Sequence, residues 1–194
     1  MGNKIKIILA TGNPHKLHEI NEISKSSGIE FILPPVEFNP EENGKDFLEN
    51  SYIKAREAAI LGEGIALGDD SGLCVEALGG EPGLMSARYD TTPQLRIKKV
   101  LDKLGQSENR KAKFVCAMSL VDETGRILTQ EVGECFGKIT YSPSGVNGFG
   151  YDPIFEVDGY GVTMADMSEE LKNSISHRNL ALSKIISYVN TYLA

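Results

Sequence analysis

The chain opens with an apolar run that leads directly into a helix start, and this junction constrains the fold most strongly. Residues 5–9 read Ile-Lys-Ile-Ile-Leu, which is typical of a buried strand. Asn13 is a favoured N-cap residue, and Pro14 stands where a missing N–H costs nothing. Gly12 permits a sharp turn and the close approach of a ligand. Because helix N-termini favour anions, the junction predicts an α/β fold and an anion site, with Lys16 on the first helical turn.

The rest of the chain alternates between strand-like and helix-like patterns, with a hairpin in the middle. We expect a mixed central β-sheet flanked by helices, and a single domain over residues 1–194, because no linker, repeat or low-complexity tract interrupts the pattern. The predicted strands cover residues 5–9, 29–33, 64–67, 113–122, 126–140 and 154–157. The predicted helices run from 14 to a stop at Gly28, from 46 to 61, from 92 to 104, from 168, and from 176 onward.

Composition limits the classes of function. The 194 residues carry a net charge of −7 with both signs mixed along the chain, which argues against nucleic-acid binding. No apolar run approaches the roughly 20 residues that cross a membrane, and no secretory signal is recognisable. The three cysteines lack any Cys-x-x-Cys pairing, so we expect free thiols in a reducing, cytoplasmic setting.

Two adjacent carboxylates, Asp69 and Asp70, follow a short apolar run and form the second chemical signal. Neighbouring residues of a strand point to opposite faces, so one could bind a metal or activate water while the other is anchored elsewhere. Carboxylates suit Mg²⁺, with Glu41 or Glu42 as a second acid. The alternative is an Asx-type turn that both aspartates cap, and the two interpretations stay open.

Two later segments resemble the parts of a nucleotide site. Residues 149–153 read Phe-Gly-Tyr-Asp-Pro, which offers an aromatic face for a base and a carboxylate for its edge; the alternative is a loop with core aromatics. Residues 176–178 read Ser-His-Arg at a helix start and offer hydrogen-bond donors, or form a plain cap with a basic first turn. Lys54 is predicted on the exposed side of its helix. No P-loop or serine-hydrolase elbow occurs.

Taken together, six motifs in order resemble the inosine triphosphate pyrophosphatases, also called dITP/XTP pyrophosphatases, over essentially the whole chain. Each motif is weak alone, but the six in register are specific. They are Thr11-Gly12-Asn13…Lys16, Phe47-Leu48-Glu49-Asn50…Lys54-Ala55, Asp69-Asp70-Ser71-Gly72-Leu73, Leu78-Gly79-Gly80-x-Pro82-Gly83…Ser86-Ala87-Arg88-Tyr89, Gly148-Phe149-Gly150-Tyr151-Asp152-Pro153 and Ser176-His177-Arg178.

The resemblance implies an activity and an architecture. Members of this family hydrolyse nucleoside triphosphates between the α and β phosphates with Mg²⁺, and they prefer the deaminated purine nucleotides ITP, dITP and XTP. They fold as two α/β lobes around a deep substrate cleft, and most are homodimers. The apolar, glycine-rich segment 78–85 is a candidate dimer surface. Two other functions stay open: a nucleotide-binding protein without catalysis, and a related pyrophosphatase that acts on modified pyrimidines or methylated bases.

The resemblance also implies roles for residues of this sequence. Asp70 would bind Mg²⁺ and take a proton from the attacking water, Asp69 would support it, and Glu42 or Glu41 would be the second metal acid. Lys16 would stabilise charge on the departing pyrophosphate. The phosphates would be held by Lys54 and by the turn formed by Thr11, Gly12, Asn13, Pro14, His15 and Lys16. Ser71 would contact the substrate, and its base and sugar would meet Phe149, Gly150, Tyr151, Asp152, Lys172, His177 and Arg178.

Overall fold

The computed structural model describes residues 4–35 and 38–193. Within these residues the structure has six strands and five α-helices, with four short 3₁₀ turns between them. The strands are β1 Ile5–Ala10, β2 Ile29–Ile32, β3 Ala66–Val75, β4 Lys111–Val121, β5 Ile127–Ile139 and β6 Phe155–Val157. The helices are α1 Pro14–Ile23, α2 Phe47–Gly62, α3 Pro93–Leu104, α4 Glu169–Ile175 and α5 His177–Tyr192.

The six strands form one sheet in the order β2-β1-β3-β4-β5-β6. Strand β1 runs parallel to both β2 and β3, whereas β6 is antiparallel to β5. Strands β4 and β5 are joined by a tight turn in which the Asp122 N–H donates to the Arg126 carbonyl at 3.0 Å. The predicted hairpin and the predicted mixed α/β sheet are therefore confirmed.

The described chain clusters into two compact units. Unit 1 comprises residues 1–70, 116–133 and 178–194, and unit 2 comprises residues 71–115 and 134–177. Every boundary except the one at the start of α5 falls inside a strand, because β3, β4 and β5 each contribute residues to both units. The prediction of a single domain stays a prediction.

Each unit has its own apolar core. In unit 1 the strands β1 and β4 bury residues such as Leu9 and Met118 against α1 and α5, and a second cluster lies between β1 and α2. In unit 2 helix α3 packs through Ile97 and Val100 on a cluster that includes Phe114 and Phe155. None of the described helices has the length and apolarity that crossing a membrane requires.

Strand β3 is longer than the sequence pattern indicates. It runs for ten residues, straight through Asp69 and Asp70, and pairs with β1 in a register that sets Ala10 against Gly68. The interpretation of the two aspartates as an Asx-type turn is therefore wrong. The predicted helix stop at Gly28 is also wrong, since α1 ends at Ile23, where the Ser24 N–H closes the last helical bond on Ile20.

Helix α2 packs closely on β3, and this contact brings a lysine to the carboxylates. A Cβ at Gly68 would lie 2.0 Å from the Ser51 carbonyl oxygen, so only glycine allows the helix so near. The buried face of α2 is made of small or polar residues and includes Lys54, which is only 6% exposed. The prediction that Lys54 lies on the exposed side is wrong, because ionic partners offset the cost of burying its charge.

Candidate active site

The start of α1 forms as the sequence predicts. Asn13 caps the helix by accepting a hydrogen bond from the His15 N–H at 3.0 Å, and its own N–H donates to the Thr11 hydroxyl at 3.0 Å. Gly12 does not adopt a left-handed φ, and a Cβ there would meet only the Phe38 carbonyl oxygen, at 3.9 Å. The backbone thus tolerates other residues at position 12, and glycine keeps the approach to the helix N-terminus open. Gly12, Pro14 and His15 are exposed.

Asp69 lies at the centre of a buried charge network in unit 1. One oxygen binds the Lys16 ammonium, while the other accepts from Arg178 Nε at 3.0 Å and from the Cys116 thiol at 3.1 Å. Arg178 is 2% exposed and also pairs with Glu19. Burial by itself raises the pKa of Asp69, but Lys16 and Arg178 outweigh it and hold the pKa well below its ordinary value. Asp69 is therefore an ionised anchor for two cations.

Asp70 has different partners, as expected for the next residue of a strand. Its Oδ1 lies 3.0 Å from Lys54 Nζ, and its Oδ2 accepts from the Asn50 amide at 3.2 Å. Lys54 also contacts Glu42 Oε1 at 2.9 Å. Burial raises the pKa of Asp70 even though Lys54 and Lys16 oppose it. Burial disfavours the charge of Lys54, but Asp70, Asp69 and Glu42 together raise its pKa, so the lysine stays protonated.

The Asp70–Glu42 pair fits a divalent cation by its chemistry. Two carboxylates share one ammonium, which leaves this cluster one negative charge in excess when all three groups are ionised. Mg²⁺ commonly binds one or two carboxylates together with water and substrate phosphates. Across residues 4–35 and 38–193 no group of three or more His, Cys, Asp or Glu side chains could hold a metal by itself. Glu41 is exposed, whereas Glu42 reaches Lys54.

Unit 2 assembles three of the residues expected at the base end. Lys172 Nζ lies 2.8 Å from Asp152 Oδ2 and 4.7 Å from the centroid of the Phe149 ring. The Phe149 N–H donates to the same Asp152 oxygen at 2.8 Å. A Cβ at Gly148 would lie 2.1 Å from that oxygen, and the residue has a φ of +72°, so glycine is required there. The loop, the carboxylate and the lysine thus form one rigid cluster.

The other predicted residues of unit 2 are dispersed. Tyr151 is buried in the unit 2 core and donates its hydroxyl to the Ser86 carbonyl at 2.9 Å. His177 stacks on Phe114, with ring centroids 4.9 Å apart and an interplanar angle of 12°. Ser71 and Gly150 are half-buried. Tyr151 therefore packs as a core aromatic, which was the alternative interpretation of this loop. Its role toward substrate stays a prediction.

The sequence did not point to three residues that lie at the site: Glu19, Asn50 and Cys116. Glu19 follows Lys16 by three residues and Asn50 precedes Lys54 by four, spacings that place each pair on one helix face. A polar residue at that spacing from an expected ligand-binding lysine is a signal that could have identified both. Cys116 has no such signal, because only the pairing of strands brings it to Asp69.

Comparison with known proteins agrees with this geometry. The residue pattern of the Ham1 family matches residues 7–188. A dITP/XTP pyrophosphatase from Prochlorococcus marinus (strain NATL1A) is 43% identical over 184 residues, which is 95% of this chain and 93% of that protein. One from Treponema denticola is 44% identical over 195 residues, covering 95% and 98%.

Solved structures of Ham1 proteins are also similar to this chain. A HAM1 protein from Coxiella burnetii is 38% identical, with a TM-score of 0.86 over 96% of this chain and 99% of that one. The Staphylococcus aureus Ham1 protein is 36% identical, with a TM-score of 0.85 over 96% and 98%. The resemblance drawn from the six motifs is confirmed. The chain belongs to the Ham1 family.

Proposed function

We propose that this protein is a nucleoside triphosphate pyrophosphatase that hydrolyses ITP, dITP and XTP to the monophosphate and pyrophosphate with Mg²⁺, and so clears deaminated purines from the nucleotide pool. Membership of the Ham1 family and the names of the relatives support a pyrophosphatase. The observation that carries the proposal is the division between Asp69 and Asp70. Asp69 has both oxygens engaged by Lys16, Arg178 and Cys116, whereas Asp70 shares Lys54 with Glu42, so the two neighbours can act differently, one as an anchor and one in the reaction.

Asp70 is the proton acceptor in this proposal. Burial raises its pKa, and its carboxylate, held by Lys54 and Asn50, can take a proton from a water that attacks the α phosphorus. Asp69 cannot do so, because its oxygens are already engaged by Lys16, Arg178 and Cys116. Asp69 instead fixes the position of Lys16.

The phosphates are assigned to the α1 start and to the two lysines of unit 1. Helix N-termini bind anions through backbone N–H groups, and Gly12 leaves the approach open. Lys16 stabilises charge that develops on the departing pyrophosphate. Asp70 and Glu42 would hold Mg²⁺, which when bound makes the attacking water more acidic and neutralises phosphate charge. We assign Glu42 rather than Glu41 because Glu42 shares Lys54 with Asp70.

The base is assigned to the Phe149 cluster of unit 2 together with His177, while Arg178 of unit 1 keeps its observed role as the partner of Asp69 and Glu19. Hypoxanthine and xanthine carry an oxygen at position 6, where adenine carries an amino donor. If hydrogen-bond donors of the site point at that oxygen, they face the amino group of adenine when adenine enters. Two buried donors then have no acceptor, which strongly disfavours the binding of adenine. The Phe149 ring, with Lys172 Nζ over it at 4.7 Å from the centroid, is assigned to stacking on the base.

One assay separates this proposal from its alternatives. Pyrophosphate and monophosphate release is measured from ITP, XTP, dITP, ATP, GTP and a modified pyrimidine triphosphate, with Mg²⁺ and with excess EDTA. We expect Mg²⁺-dependent release from ITP, dITP and XTP. Binding of ITP without release would indicate a nucleotide sensor, and a preference for the pyrimidine would favour the related activity. Release of the nucleoside diphosphate and orthophosphate would instead indicate cleavage between the β and γ phosphates, and would contradict the proposal. A cytoplasmic location and a homodimeric state stay predictions.

A further inference from the structure

We propose that unit 2 holds a second ligand site, a surface cavity of about 900 Å³ that binds a small aromatic carboxylate. The cavity lies between helix α3 and the segment 141–153, which follows β5. Its wall includes the buried Arg110, just before β4, and the exposed Tyr141. None of the residues in this wall is assigned to the nucleotide, so the inference goes beyond the proposed function and does not depend on it.

Arg110 brings a buried positive charge to the cavity without an acidic partner. The residue is 6% exposed. Its Nε donates to the Ile139 carbonyl at 2.6 Å, and its two terminal nitrogens donate to the carbonyls of Gly105 and Thr140 at 3.2 and 2.9 Å. Across residues 4–35 and 38–193 no carboxylate pairs with this guanidinium. Because buried charges are ordinarily paired with an opposite charge, an anion in the cavity would complete the environment of Arg110.

The count of donors and charges favours a carboxylate as that anion. An arginine side chain has five N–H donors, so the three bonds of Arg110 leave one N–H on each terminal nitrogen, and a carboxylate can accept from both. The acid in the same wall, Asp102, already pairs with Lys98 at 2.5 Å, and this exposed pair adds no net charge. One cation therefore matches a monoanion better than a phosphate monoester, which carries about −1.5 to −2.

Tyr141 gives the cavity an aromatic surface. The guanidinium of Arg110 lies 4.2 Å from the centroid of its ring, and the residue is 64% exposed, so much of the ring is open to a ligand. Ile97, Leu101 and Pro143 add apolar surface to the same wall. An apolar and aromatic lining with a few fixed polar groups is typical of small-molecule sites. A flat ring joined to a carboxylate would therefore stack on Tyr141 while its anion reaches Arg110.

The first test titrates the full chain with 2-naphthoate and follows the backbone amides by NMR. We expect a dissociation constant on the order of 0.1 mM for a ligand of this size, with the largest shift changes at Gly105, Gln106 and Tyr141. Three matched ligands separate the contributions. The neutral 2-naphthamide should bind at least about tenfold more weakly, because it lacks the charge. Decalin-2-carboxylate, which lacks the flat ring, should bind at least about fivefold more weakly, and 2-naphthyl phosphate should also bind more weakly.

The second test changes the wall of the cavity and measures the same dissociation constant by calorimetry. Tyr141→Ala should raise it at least about fivefold, because the stacking surface is lost. Tyr160→Ala is the matched control, since Tyr160 is an exposed tyrosine of unit 2 outside the cavity, and it should leave binding unchanged. Arg110→Lys keeps the charge but loses the planar fork, for which we expect about tenfold weaker binding. Circular dichroism and urea unfolding check each fold; if Arg110→Lys is unfolded, the two tyrosine variants decide.

Four results would overturn the inference: no binding of 2-naphthoate at millimolar concentration, shift changes centred on the Phe149 cluster instead of the cavity, binding of the amide or the phosphate as tight as that of the carboxylate, or equal binding by Tyr141→Ala and Tyr160→Ala. None of these measurements involves hydrolysis of a nucleotide, so a failure of the proposed function is distinguishable from a failure of the second site.

Discussion

Each unit buries a lysine against carboxylate, and the two clusters differ in what surrounds the ammonium. In unit 1 Lys54 lies between Asp70 and Glu42, at 3.0 Å and 2.9 Å. In unit 2 Lys172 pairs with the carboxylate of Asp152 at 2.8 Å and lies 4.7 Å from the Phe149 ring centroid. The first cluster thus sets two carboxylates around one ammonium, whereas the second sets an ammonium between a carboxylate and an aromatic ring.

This difference indicates which end of a nucleotide each cluster suits. Two carboxylates converge on one ammonium in unit 1, and Mg²⁺ commonly binds one or two carboxylates together with substrate phosphates, so this cluster suits a metal and phosphates. In unit 2 a carboxylate and an ammonium lie beside an aromatic ring, which suits a flat base. Variants of the two clusters test this division of roles.

Asp70→Asn should have the largest effect on turnover. The change keeps the shape of the side chain but removes the proton acceptor, so we expect kcat for ITP to fall about 10²- to 10⁴-fold. The matched variant in unit 2, Asp152→Asn, should leave kcat within about tenfold and act mainly on KM. Steady-state kinetics of both variants provide the measurement. Equal losses of kcat in the two variants would show that the clusters do not divide the roles.

Arg178→Met should cost the most stability. It leaves Asp69 and Glu19 buried without their shared cation, for which we expect a loss of about 3–5 kcal/mol in the free energy of unfolding. The exposed pair of Lys98 and Asp102 offers a control, since Lys98→Met should change stability by less than about 1 kcal/mol. Urea denaturation measures both. Adding Glu19→Gln to Arg178→Met should recover part of the loss, and no recovery would contradict the proposed charge balance.

Lys16→Ala should lower kcat more than it raises KM. A charge-assisted hydrogen bond to the leaving group is worth about 1.5–3 kcal/mol, or about 10- to 150-fold in kcat. Single-turnover and steady-state measurements separate the two parameters. The exposed Lys25, next to the end of the same helix, is the control position. A pure effect on KM would reduce the α1 start to a docking site.

Phe149→Ala should raise KM with little change in kcat. Base stacking is worth about 1–3 kcal/mol, so KM for ITP should rise about 5- to 150-fold. Because every base has a stacking face, KM for ATP should rise by a similar factor and the ratio of the two activities should hold. A selective loss on ITP would mean that the Phe149 loop also reads the base edge.

The smallest effect is expected at Cys116. Cys116→Ser keeps a donor for Asp69, whereas Cys116→Val removes it, so the two variants should differ by about 1 kcal/mol in stability. Thermal denaturation measures that difference. Equal stability of both variants would show that the thiol contributes only its volume.

Much of the fold was predictable because it depends on local chemistry. Asn13 and Pro14 determine where α1 begins, since one supplies the cap and the other needs no N–H. The turn between β4 and β5 was predictable from its glycine and acidic residues. The course of β3 through Asp69 and Asp70 was not, because two adjacent carboxylates disfavour a strand until their partners are present.

The sequence by itself determined the family and the order of the elements, because each motif lies within one short stretch; the roles of the site residues stay predictions. Only the tertiary structure decided how those residues are paired. It buries Lys54 against Asp70, joins Arg178 to Asp69 across 109 positions of the chain, and selects Glu42 over Glu41 beside Lys54. Pairing of this kind depends on the packing of α2 against Gly68 and on the register of the sheet, which no local pattern encodes.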